Sequence, residues 1–236
     1  MKILAFDGTA KIATVAVAED GRILASYSID NGLTQSELLL PMAENMLASL
    51  RIGFDDIDAL ATSVGPGSFT GVRIGVSIVK GLAFGKNKPC VEVSTLEALA
   101  ENLSGIRGTV VAIMDARRGQ VYSATYSSCE DGLTLVTPDR AVSLAALAEE
   151  LKALEGTDVY LVGDGYEVAR KALTELGVTL AVTPEMLRGE SAASVAAVAA
   201  RKLERGKVVS DTDIAPVYLR MPQAERERLE RLQNTQ

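Results

Sequence analysis

The stretch Gly65-Pro66-Gly67-Ser68-Phe69-Thr70-Gly71-Val72-Arg73-Ile74-Gly75 is where residue types and spacing come closest to a chemical function. An apolar run, Ile57–Val64, enters a glycine-rich turn, and a helical pattern leaves it. Backbone amides freed at a helix N-terminus can receive an anion. This is no P-loop, because no Gly-Lys-Ser/Thr follows and the glycines do not fit GxGxxG. A tight strand-to-helix turn, capped by Ser68 or Thr70, accounts for the same residues. On the residues alone both readings stay open.

Two carboxylates stand in equivalent settings. Asp7 and Asp115 each follow an apolar strand-like run and begin a loop of small or basic residues, Gly8-Thr9 in one case and Arg117-Arg118-Gly119 in the other. Facing each other across a cleft, such loops can hold a phosphate–metal pair. An Asp that merely caps a turn is the plainer alternative. Gly163-Asp164-Gly165 either admits a nucleotide closely or makes one more tight turn.

Composition removes other chemistries. The chain has no His, which excludes Ser–His triads, Cys–His pairs and His-ligated zinc. Cys90 and Cys129 form no CxxC and read as reduced thiols. No G-x-S-x-G surrounds Ser68, and no spacing of Asp and Glu specifies a metal site. A net charge of −7 speaks against stand-alone nucleic-acid binding. With no signal-peptide core and no apolar run long enough to span a bilayer, the expected location is the cytoplasm.

The elements that carry these residues follow from periodicity. Lys2–Phe6, Ile12–Ala18 and Arg22–Ile29 read as strands, the last two joined by the Asp-Gly turn at Glu19-Asp20-Gly21. Thr34-Gln35-Ser36-Glu37 fits a capping box and opens a helix with apolar residues at 38, 39, 42, 46, 47 and 50. Pro41 predicts a bend or a slipped start. After the strand 57–64 comes a helix over about 71–85, apolar around most of its circumference, which needs a second surface to cover it. Val91–Val93 is a strand, and Ser94 opens a further helix.

The pattern then starts again. Thr109–Met114 ends in Asp115, Gln120–Ser127 follows, a Glu-Asp-Gly turn recurs at Glu130-Asp131-Gly132, and a third strand runs over Leu133–Val136. Helices are expected over 143–154, 166–176 and 191–204, a strand over Val159–Val162, and extended chain around Pro216. The tail Ala224–Leu232 interleaves Glu and Arg at helical spacing. Two chance β-meanders are the alternative to a duplication.

The glycine motif with VRIG, Asp115-Ala116-Arg117-Arg118-Gly119-Gln120-Val121-Tyr122, Ser36-Glu37-Leu38-Leu39-Leu40-Pro41 and Pro216-Val217-Tyr218-Leu219-Arg220 together resemble the TsaB (YeaZ) family. The likeness runs from Met1 to about Arg220. It implies an α/β fold, two-lobed and actin-like (ASKHA, ribonuclease H-like), with duplicated βββαβα units. The lobes are expected at 1–103 plus 206–236 and at 104–205. It implies a non-catalytic scaffold in synthesis of tRNA N6-threonylcarbamoyladenosine, t6A. The partners implied are a TsaD-like catalytic subunit and a TsaE-like ATPase, with TsaC in the pathway, tRNA met only through the complex, no membrane, and a homodimer as a further form. A partner interface is expected on the first two long helices, at Ser36, Leu39, Met42, Met46, Leu50, Gly71, Ile74, Gly75, Ile78 and Leu82.

Vestigial phosphate loops are expected at Asp7, Gly8, Thr9, Gly67, Ser68, Asp115, Gly163 and Gly165. No catalytic residue, metal or resident cofactor is implied, with Mg-ATP left to the complex interface. The chain departs from the family at Asp7-Gly8-Thr9, where Asp-Thr-Ser is usual, and at Gln35-Ser36, where His-Ser is usual. Asp7-Gly8-Thr9 is also one residue short of the Asp-x-Gly-Thr loop of ASKHA kinases, and Asp164 interrupts a Gly-Gly nucleotide motif. The alternative is a stand-alone ATP-dependent phosphotransferase of the actin-like class. A metalloprotease label, also met in this superfamily, has no histidines to build its site here.

Overall fold

The computed structural model describes residues 1–117, 119–154 and 156–220, so the charged stretch Ala224–Leu232 lies outside the described residues. The first sheet is built from β1 (Lys2–Asp7), β2 (Ala13–Glu19), β3 (Arg22–Ile29), β4 (Ala59–Ser63) and β5 (Cys90–Val93), in the order β3-β2-β1-β4-β5. Helix α1 (Gln35–Leu50) links β3 to β4, α2 (Phe69–Ala83) links β4 to β5, and α3 (Thr95–Glu101) follows. The second sheet contains β6 (Gly108–Asp115), β7 (Gln120–Cys129), β8 (Gly132–Ser143) and β9 (Val159–Val162), in the order β8-β7-β6-β9. Helices α4 (Leu144–Lys152), α5 (Tyr166–Glu175) and α6 (Ala192–Glu204) are the remaining α-helices among the described residues.

The two sheets repeat one topology. β1 pairs antiparallel with β2 and parallel with β4; β6 pairs antiparallel with β7 and parallel with β9. Asp7 and Asp115 end the equivalent central strands β1 and β6. The βββαβα unit is thus duplicated.

Alternation along the strands divides the core, since successive side chains point to opposite faces. Leu4 and Phe6 of β1 face α1 and α2 and pack with Leu39, Met42, Met46, Val72 and Val76. Ile3 and Ala5 face the other way. There Ala16, Ala59 and Ala61 meet Ala192, Ala196 and Ala199, and small side chains on both surfaces let α6 lie close to the sheet. The second sheet packs Val111 and Ile113 on α4 and α5, and Val110, Ala112 and Met114 on α3.

Helix α6 therefore belongs to the first sheet, which corrects the expected range 104–205 for the second lobe. Helices α3 and α6 pack together, joined by a two-pronged Arg201–Glu101 pair with both bonds at 2.7 Å. The extended chain after α6 runs back along the first sheet. Val209 bridges Cys90, Ile214 is buried, and the Val217 N–H donates to the Val64 carbonyl at 2.7 Å.

Some local signals act as the sequence suggests, but β8 runs on to Ser143, well past the strand end expected at Val136. The Glu37 carboxylate accepts from the Thr34 N–H at 2.9 Å and the Thr34 hydroxyl at 2.7 Å, fixing the start of α1. That start does not slip past Pro41, which sits inside α1. Among the described residues, no helix is long and apolar enough to cross a membrane.

Candidate functional site

Two concave surfaces flank the glycine-rich turn. One is a cleft of about 560 Å³ between the lobes, lined among others by Thr9, Lys11, Gly67, Ser68, Asp115, Arg117, Asp164 and Arg220. The other is a groove of about 520 Å³ on the outer face of α1 and α2, lined by Ser36, Leu40, Phe69, Thr70, Arg73, Ile74, Ser77 and Ile78.

The glycine-rich turn is a packing device. A Cβ at Gly71 would lie 1.9 Å from the Gly8 carbonyl oxygen, so α2 can press onto the β1–β2 loop only with glycine there. Gly65 has φ +119, and a Cβ on it would lie 2.4 Å from the Val217 oxygen. The Ser68 N–H donates to the Thr9 carbonyl at 2.7 Å, and the Ser68 hydroxyl accepts from Gly71 N–H at 3.3 Å, capping α2.

The expected phosphate loops come together only in part. Thr9, Gly67, Ser68 and Asp115 line the cleft. Asp7 does not. It is 1% exposed, and its carboxylate is taken up by the Thr9 N–H at 2.8 Å, the Thr9 hydroxyl at 2.6 Å and the Ser63 hydroxyl at 2.5 Å. Burial raises its pKa above the ordinary carboxylate value, opposed by those three hydrogen bonds. Asp7 therefore locks a loop, and the pairing of Asp7 with Asp115 across a cleft is corrected. Gly8 packs under Leu39 and Gln35. Gly163 and Gly165 let the loop after β9 lie on Ile113 of β6 and do not line the cleft. Among the described residues, no group of three or more His, Cys, Asp or Glu is arranged to hold a metal ion.

Two acids have a setting that the sequence reading did not assign: Asp164, read there only as part of a turn, lines the cleft, and Glu190 is buried. Asp164 accepts the Asp115 N–H at 3.1 Å, and burial raises its pKa, opposed by that bond. Glu190, immediately before the Ser191 cap of α6, is 6% exposed, and its Oε1 has no hydrogen-bond partner among the described residues. Burial, then the charges of Asp7, Asp164 and Asp30, push its carboxyl up to about 8. No pattern around a lone loop glutamate could have signalled this.

The expected partner residues divide into three sets. Leu39, Met42, Met46, Gly71 and Gly75 point into the chain's own core, which corrects their assignment to an outer surface; a Cβ at Gly75 would lie 2.7 Å from the Thr62 hydroxyl. Leu50 and Leu82 are half-buried at the core's edge. Ser36, Ile74 and Ile78 do line the groove. Leu40, which the sequence reading passed over, is 38% exposed there.

At one end of the groove Phe69 and Arg73, one helical turn apart on α2, interlock with the distant Tyr218. The Arg73 guanidinium lies 3.8 Å from the Phe69 ring centroid, and its Nε donates to the Tyr218 hydroxyl at 2.8 Å. The Phe69 and Tyr218 rings stack at 5.0 Å. Arg220 then reaches the second lobe, donating to the Ala116 carbonyl at 3.0 Å.

Comparison with known proteins supplies what geometry does not. The family profile described as TsaD, tRNA N6-adenosine threonylcarbamoyltransferase, matches residues 34–228. The chain is 34% identical to the tRNA threonylcarbamoyladenosine biosynthesis protein TsaB of Escherichia coli (strain K12), over 93% of this chain and 95% of that one. It is 35% identical to the TsaB of Bacillus subtilis (strain 168), over 70% and 72% of the two chains. Among solved structures, YeaZ from Pseudomonas aeruginosa superposes with a TM-score of 0.77 at 27% identity, covering 92% of this chain and 99% of that one.

Proposed function

We infer the function from one premise: the chain belongs to the TsaB family of tRNA threonylcarbamoyladenosine biosynthesis proteins. Its role is that of a non-catalytic accessory subunit in t6A modification of tRNA. The finer reading is a scaffold that docks a TsaD-like catalytic subunit on the face of α1 and α2 and works with a TsaE-like ATPase in the cytoplasm. TsaC acts upstream, and tRNA is met through the assembly.

One observation carries this reading. Two adjacent helices leave an apolar groove, with Leu40, Ile74 and Ile78 at its surface, while Leu39, Met42 and Met46 brace it from the core. A rigid backing beneath an exposed apolar seam suits a docking surface. The carboxylate best placed by sequence to bind a metal–phosphate group, Asp7, is occupied by its own loop, which argues against an autonomous phosphotransferase. Mg-ATP belongs, on this reading, to the complex interface, and a homodimer on the same face is a further form open to the free chain.

The test is co-elution of this chain with the TsaD-like protein of the same organism at micromolar concentration, with and without Mg-ATP. The expected result is a shared peak, and separate peaks in both conditions overturn the reading. In cells, depletion of the protein lowers t6A in digested tRNA.

A further inference from the structure

The clasp at the end of the groove has a feature that packing alone does not require. Arg73 is an exposed residue held on two sides, by the Phe69 ring and by the Tyr218 hydroxyl. The arginines that pair with carboxylates among the described residues are Arg140, Arg188 and Arg201, and Arg73 is not one of them. Among the described residues its Nε makes its hydrogen bond, and the terminal nitrogens have no partner there, beside the groove. Helix α2 carries Arg73 and Lys80 and no acid. On α1, Glu37 is occupied by Thr34.

We propose that Arg73 is a preformed receptor for a carboxylate carried by the docking helix of the catalytic homologue, and that Phe69 and Tyr218 hold it in position. The proposal rests on the functional reading above and names what the groove recognises. Three arguments support this occupant. A guanidinium presents a planar fork suited to a carboxylate. Immobilising it before binding reduces the ordering cost that a free arginine would meet at the interface. A cation at the margin of an apolar seam sets orientation and partner choice where Leu40, Ile74 and Ile78 supply only contact area. The partner therefore presents an apolar helix face with one acidic residue at the end that meets α2's first turns.

The experiment measures binding of the purified catalytic homologue to the full chain by calorimetry at low and moderate salt. The variants are R73A, R73K and Y218F, and circular dichroism checks each fold. R73A should weaken binding about 10- to 100-fold, the range of anchor residues at interfaces. R73K should recover only part of that, because a single ammonium lacks the fork. Y218F should lose severalfold while keeping Arg73's charge. Wild-type affinity should fall with salt more steeply than that of R73A.

A wild-type complex that R73A leaves within twofold overturns this inference alone, as does full rescue by R73K. Failure of the wild type to bind overturns the functional reading, and this inference with it. If R73A abolishes self-association of the free chain but leaves the complex intact, the carboxylate belongs to a second copy, with Glu44 an exposed acid on α1, and the proposal fails.

Discussion

Replacing Glu190 with glutamine should change how stability depends on pH. The folded chain holds the Glu190 proton up to about pH 8, whereas an ordinary glutamate releases it near 4.5. A raised acid pKa means the folded state binds a proton that the unfolded chain gives up. The site's contribution is therefore most favourable below pH 4.5, declines as pH rises toward 8, and levels off above it. Each pH unit across that window is worth about 1.4 kcal/mol, so the wild type should lose on the order of 5 kcal/mol between its ends through this one group. Glutamine keeps the side chain's size and does not titrate. Near pH 5 the two proteins should be of similar stability; at pH 8 the glutamine variant should be the more stable by several kcal/mol. Other titrating groups are shared and cancel in the difference. Urea unfolding at constant ionic strength, from pH 5 to 9, reads it directly. A difference that stays constant across that range, or a glutamine variant that is the weaker at pH 8, would refute the reasoning.

Further outcomes follow from the same geometry. Gly71→Ala should cost about 1–3 kcal/mol or more in chemical denaturation, because the added carbon lies 1.9 Å from the Gly8 oxygen and α2 must shift. Asp7→Asn should cost about 1–3 kcal/mol, since an amide cannot accept from all three donors now satisfied; urea midpoints measure it. Leu40→Glu should leave the melting temperature nearly unchanged and abolish co-elution with the catalytic homologue, whereas Met46→Ala should lower stability by about 2–5 kcal/mol because Met46 is fully buried. Isothermal calorimetry of the isolated chain with Mg-ATP should show no heat of binding at millimolar nucleotide.

Much of the fold could be read from local pattern. Strand β3 shows its alternation from Arg22 to Ile29, and β9 is a four-residue apolar run bounded by polar turns. The duplication was visible because two short-range signals recur together: an apolar strand ending in Asp, and an Asp-Gly hairpin. What stayed hidden depends on contacts distant in sequence. Asp7's fate is decided partly by Ser63, and the clasp needs Tyr218 to return to Arg73. Helical spacing could not say whether Leu39 and Met42 or Leu40 faced outward, since α1 is apolar on both sides. The alanines of α6 gave the helix but not the sheet it covers, because small side chains fit against either one.

That last helix bears on how the protein comes off the ribosome. The inner surface of the first sheet, with Ile3, Ala5, Val91 and Val93, is translated early, yet its cover arrives only with residues 192–204. Until then a nascent chain carries a β-layer with one apolar side open to solvent, and the second lobe is synthesised in the interval. A truncation ending before Ser191 would leave that surface bare and should collect in inclusion bodies, even though it retains every strand of both sheets.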